Sequence, residues 1–67
     1  MKLSKELNTA LITGGTRGVG LEIAKMFKQR NFNVIITGRD SEYANSIATK
    51  LNNDYPSRST VKGYKLD

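Results

Sequence analysis

Four glycines in seven positions, Gly14-Gly15-Thr16-Arg17-Gly18-Val19-Gly20, constrain this chain more than any other feature. No regular element holds glycine at that density. Each one leaves the backbone free to take positive φ or to lie against a neighbour with no Cβ between them. The preceding run, Asn8-Thr9-Ala10-Leu11-Ile12-Thr13, is short and apolar and stops at the first glycine, which favours a buried strand. After the cluster the period changes. Val19, Ile23, Met26, Phe27 and Arg30 fall at i, i+4, i+7, i+8 and i+11, so a helix is expected from Val19 to about Arg30. The first four of these make an apolar stripe, with Lys25, Lys28 and Gln29 off it. Asn31 is a suitable stop, because Asn tolerates the left-handed conformation that ends helices.

Val34-Ile35-Ile36-Thr37 reads as a second strand, apolar throughout as when both faces of a parallel strand are covered, and Gly38 ends it. Asp40 or Ser41 can cap a second helix, whose Ala44, Ile47, Ala48 and Leu51 form one apolar face. Asn52-Asn53-Asp54-Tyr55-Pro56-Ser57 is a loop by composition. Ser59 to Leu66 reads as a third strand, with Tyr64 and Leu66 on one face and Val61 on the other. The order β-α-β-α-β calls for an α/β fold with parallel strands joined by helical crossovers.

A glycine-rich turn between a strand and a helix start is a phosphate site by geometry. The first helical N–H groups have no intrahelical partner, and the helix dipole places partial positive charge there. Gly15 and Gly20 have the glycine spacing of a nucleoside-triphosphate loop, but Leu21-Glu22 stands where Lys-Ser/Thr is required. The G-x-G-x-x-G fingerprint begins at Gly18-Val19-Gly20 and fails at Ile23.

Composition removes other chemistries. The chain has no Cys and no His, which excludes disulfides, thiolate or imidazole metal ligands and Ser–His or Cys–His catalysis. No metal site is expected. The net charge of +5 favours anionic partners. Its cations are spread singly and are not interleaved with aromatics, so a phosphate ligand is expected and nucleic acid is not. No apolar run approaches a membrane span, and the first residues lack the apolar stretch of a signal peptide, so no membrane partner and a cytoplasmic location are expected. At 67 residues only one small domain fits.

Thr13-Gly14-Gly15-Thr16-Arg17-Gly18-Val19-Gly20 does fit T-G-x-x-x-G-x-G, and here the chain resembles the N-terminal part of the short-chain dehydrogenase/reductase family. The likeness runs from about residue 8 to residue 67 and includes Val34-Ile35-Ile36-Thr37-Gly38-Arg39 and Leu66-Asp67 at two strand ends. It implies a partial Rossmann fold, with a three-stranded parallel sheet in the order 3-2-1, and residues 1–67 as a truncated dinucleotide-binding domain. With the family's fourth strand missing, strand 1 would be an open edge and a place for self-association.

The resemblance also implies roles. Gly14, Gly18 and Gly20 would shape the pyrophosphate loop, and Thr16, Arg17 and Val19 would contact the cofactor from it. Asp67 would accept from the adenine amino group. Gly38 stands where NAD-using relatives carry an acid, with Arg39 next to it and Arg17 in the loop, which favours NADP over NAD. Asp40 is expected to turn toward the second helix. Catalytic members use Tyr-x-x-x-Lys with a Ser. Here Tyr43 is followed at +4 by Ile47 and Tyr55 by Ser59, so no catalytic residue is expected. The implied function is the NADP-binding portion of an oxidoreductase without turnover of its own. The alternative is a non-catalytic nucleotide-binding module that associates with another chain.

Overall fold

The computed structural model describes the backbone of residues 2–4 and the whole of residues 8–66. Its elements run β1 (Lys2–Ser4), β2 (Thr9–Ile12), α1 (Gly18–Gln29), β3 (Asn33–Gly38), α2 (Ser41–Asp54) and β4 (Val61–Lys65). The sheet order is β1-β2-β3-β4. The expected three-stranded parallel sheet is there: Ala10 pairs with Val34 and Ile12 with Ile36, and Val34 pairs with Val61. The antiparallel β1 is an addition that the sequence pattern does not announce. Lys2 pairs with Leu11 and Ser4 with Thr9, so β1 occupies the edge of β2 that was expected to lie open.

Alternation along the strands sends one set of side chains to each face. Ala10, Ile12, Val34, Ile36 and Val61 are buried on the face shared by both helices, where they meet Ala24 of α1 and Ala48 and Leu51 of α2. Full burial of side chains such as Ile36 and Leu51 is worth about 1.5–3 kcal/mol each. The other face carries Leu11, Ile35 and Lys62, and no helix covers it among the described residues.

Of the expected apolar stripe of α1, Ile23 and Phe27 pack against the core and Val19 and Met26 do not. Val19 is 76% exposed and Met26 is exposed too, whereas Ala24 and Lys28 are buried. Ala24 and Lys28 take the most enclosed positions, and Leu21, Ile23 and Phe27 pack half-buried against the core beside them. Lys28, only 1% exposed, snorkels into the end of the core. Its ammonium donates to Ser57 Oγ at 2.5 Å, the Ser59 carbonyl at 2.9 Å and Ser59 Oγ at 3.2 Å. That burial holds its pKa below the usual lysine value.

Both helix ends follow local chemistry. Asn31 takes a φ of 63° after α1. Phe32 N–H then reaches the Phe27 carbonyl at 3.0 Å and Asn31 N–H the Lys28 carbonyl at 3.1 Å, with the Phe27 and Phe32 rings in edge contact at 4.9 Å. This is a Schellman stop with its hydrophobic contact. At α2, Asp40 is the cap, and its Oδ1 accepts from Glu42 N–H at 2.9 Å and Tyr43 N–H at 3.2 Å. The loop expected from Asn52 begins later, because α2 continues to Asp54. The Asn52 amide holds Val61 from both sides, accepting its N–H at 2.8 Å and donating to its carbonyl at 3.0 Å. That pairing is why a loop-forming residue stays helical.

Candidate functional site

The parallel strands β2 and β3 end side by side, and the segments that leave them border a cleft. Residues 13–17 turn between β2 and α1, and the helix begins at Gly18. Gly14 has a φ of 69° and Gly18 a φ of 56°, and a Cβ on either would meet nothing within 4 Å. Both glycines therefore border open space in a backbone conformation that other residues adopt at a cost. Gly20 serves packing instead. A Cβ there would stand 2.6 Å from the Gly14 carbonyl oxygen and 3.1 Å from Gly15 Cα, so the first turn of α1 rests directly on the loop.

The loop is anchored to the neighbouring strand by Gly14 N–H donating to Thr37 Oγ1 at 3.3 Å. That amide is engaged within the protein, unlike the expectation for the whole loop. The N-terminus of α1 is different: Arg17 caps it through extended backbone with no side-chain bond, no side chain among the described residues accepts its first N–H groups, and no acidic residue lies in its first turn. Those groups and the helix dipole suit an anion.

Beside the loop, Gly14, Thr16, Arg17, Gly38, Arg39, Asp40 and Tyr43 line a cleft of about 440 Å³. The structure thus brings together Gly14, Thr16, Arg17, Gly38 and Arg39, all singled out from the sequence. Thr16 is buried, its methyl 3.0 Å from where a Gly38 Cβ would stand. The missing side chain at Gly38 is what admits Thr16. Arg17 and Arg39 are exposed, and among the described residues neither is paired with a carboxylate. Asp40 sits in the cleft wall, but its carboxylate is directed at the α2 amides as expected.

Of the other positions expected at the cofactor, Gly18, Val19 and Gly20 do not line this cleft. Val19 lies with Gly18, Leu21 and Met26 on a larger open groove along α1, whose lining is mainly apolar and lacks converging cations. Asp67 lies outside the described residues. The residue that sequence reasoning missed is Tyr43. Its ring lines the cleft, with the Arg17 guanidinium carbon 5.7 Å from the ring centroid. The available signal was its place in the first turn of a helix capped directly after Arg39.

The residues present fit a dinucleotide. Open glycine positions and an uncapped helix start suit a diphosphate, and two guanidinium groups beside them, with no carboxylate partner among the described residues, suit a further phosphate. No helix among the described residues is long and apolar enough to cross a membrane.

Comparison with known proteins gives the same direction. A family model described as short chain dehydrogenase matches residues 8–67. A short chain dehydrogenase, helC, of Aspergillus fumigatus is 46% identical over 46 residues, covering 69% of this chain and 18% of that protein. A 3-oxoacyl-[acyl-carrier-protein] reductase of Aquifex aeolicus is 36% identical over 55 residues, covering 82% of this chain and 22% of its own length. Among solved structures, the Pseudomonas aeruginosa RhlG/NADP active-site complex superposes with a TM-score of 0.76 at 34% identity, over 88% of this chain and 22% of that one. A Sphingobium yanoikuyae short-chain dehydrogenase in complex with NADPH superposes with a TM-score of 0.79 at 27% identity, over the same shares. The chain therefore spans about a fifth of the length of these relatives.

Proposed function

The chain belongs to the short-chain dehydrogenase family, and from that premise we propose that it is the NADP-binding N-terminal portion of such an oxidoreductase, without turnover of its own. The observation that carries the reading is that Arg17 and Arg39, with no carboxylate partner among the described residues, line one cleft with Gly14 of the glycine loop. Amides at the start of α1 hold the diphosphate, with Gly14 and Gly18 giving it room and Gly20 letting the first turn of α1 rest on the loop. Arg39 and Arg17 meet the ribose 2′-phosphate, which NAD lacks. The absence of a carboxylate side chain at Gly38 supports this, since an acid there would repel that phosphate. Thr16 and the Val19 backbone complete the cofactor contacts, and Asp67 meets the adenine. When bound, the cofactor supplies a hydride donor or acceptor. This chain's residues bind and orient it but offer no Tyr-x-x-x-Lys pair to move the accompanying proton. A cytoplasmic location belongs to the same reading.

A second reading, a nucleotide-binding module completed by another chain, is favoured by one observation: the sheet face carrying Leu11 and Ile35 has no cover among the described residues.

Calorimetric titration of the purified chain with NADP and with NAD tests the main reading. NADP binds more tightly. Arg39→Asp removes most of that preference, because it exchanges a guanidinium for a carboxylate beside the phosphate. Equal affinities in the wild type, or equal losses for both cofactors in the variant, would remove the assignment.

A further inference from the structure

Tyr43 takes no part in holding the cofactor in that reading, yet its placement is over-determined. Its N–H is held by Asp40 Oδ1, and the next residue, Ala44, is fully buried and donates to the Asp40 carbonyl at 3.0 Å. Its backbone is thus pinned on both sides, while the residue stays 42% exposed at the cleft wall. Arg17 is the opposite case. It precedes α1 in extended conformation, its side chain caps nothing, and no carboxylate among the described residues pairs with it. The ring is what it does meet, at 5.7 Å, within the range of a cation–π contact.

We propose that Tyr43 is a positioning residue for cofactor selection: its ring holds the Arg17 guanidinium at the cleft, set for the 2′-phosphate. The inference rests on the NADP reading. A long free arginine loses rotamer freedom when it grips a phosphate, and a side chain already docked on a ring loses less. A carboxylate partner would fix Arg17 equally well but would cancel its charge. A ring fixes it and leaves the charge and the N–H donors available. The cap at Asp40 serves the same end, because its carboxylate is engaged with amides of α2 and does not neutralise Arg17.

The test compares wild type, Tyr43→Ala, Tyr43→Leu and Tyr43→Phe for NADP and NAD binding by calorimetry. The alanine and leucine variants weaken NADP binding about two- to fivefold, the span of an exposed cation–π contact, and leave NAD unchanged. Phenylalanine restores the wild-type ratio, because it keeps the ring. In an Arg17→Ala background, Tyr43→Ala has no further effect. An independent readout needs no cofactor. In proton NMR spectra the Arg17 Hδ and Hε resonances carry a ring-current shift in wild type and Tyr43→Phe, and lose it in Tyr43→Ala. Equal losses for NADP and NAD would overturn the inference and assign the ring to the adenine common to both. No loss in either, or no ring-current shift, would overturn it as well. A wild type with no NADP preference would instead fail the underlying reading, and this inference with it.

Discussion

Gly20→Ala places a methyl group where the structure has no room for one. The new Cβ would stand 2.6 Å from the Gly14 carbonyl oxygen, and real Cβ contacts essentially never fall under 3.0 Å. The obstacle is backbone on both sides, so the loop or the helix must retreat by at least about 0.4 Å, and overpacking of this kind costs about 1–3 kcal/mol. Position 20 is inside α1, where alanine is favoured over glycine by about 1 kcal/mol. The two effects oppose. The net expectation is a destabilisation near 1 kcal/mol, equivalent to a Tm lower by about 4–8 °C for a domain of this size. Gly18→Ala costs a similar amount, about 1–2 kcal/mol, for a different reason: there is space for the methyl, but the φ of 56° is left-handed. Asparagine separates the causes. Gly18→Asn is milder than Gly18→Ala, since Asn tolerates that conformation, whereas Gly20→Asn brings no relief. Urea unfolding followed by far-ultraviolet circular dichroism measures all four, and NADP titration accompanies it. A gain in stability for Gly20→Ala, with cofactor affinity intact, would show that α1 does not rest on the loop.

Two further perturbations report on what holds the cleft in place. Asp40→Ala removes the side chain that accepts from Glu42 and Tyr43, and lowers stability by about 1 kcal/mol, read from the urea midpoint; Asp40→Ser retains most of it. Lys28→Met tests the buried ammonium through pH. Burial lowers the Lys28 pKa in the folded state, so between that lowered value and its ordinary one the unfolded chain binds more protons. The wild type therefore gains stability relative to Lys28→Met as pH rises through that window toward about 10.4. A difference that stays flat from neutrality upward would mean the ammonium is solvated.

What the sequence made legible was local. Asn31 and Asp40 declared a stop and a cap, because each satisfies amides or carbonyls within a few residues of itself. The glycine loop was legible for the same reason, as a strand, a turn and a helix start in succession. Contacts between distant segments were not. The apolar spacing from Val19 places Ile23 and Phe27 against the core, but the most enclosed positions of α1 belong to Ala24 and to Lys28, whose partners lie at Ser57 and Ser59. Asn52 is a loop former by composition, and its pairing with Val61, a contact between distant segments, accompanies its place in the helix. Of the cofactor positions, Arg17 and Arg39 converge on one cleft, and Val19 faces another way. Tyr43 joined the cleft through the α2 cap, a geometric consequence that motif positions alone do not contain.

The most direct test of the account is to follow the backbone amide resonances of a ¹⁵N-labelled chain during titration with NADP. The largest shifts are expected at Gly18, Val19 and Gly20, where the amides of the uncapped helix start meet the diphosphate, accompanied by Arg17 and Arg39. Gly14, whose amide is already held by Thr37, should move less. Saturable shifts centred elsewhere, with residues 17–20 unmoved, would contradict the claim that this loop and helix start form the cofactor site.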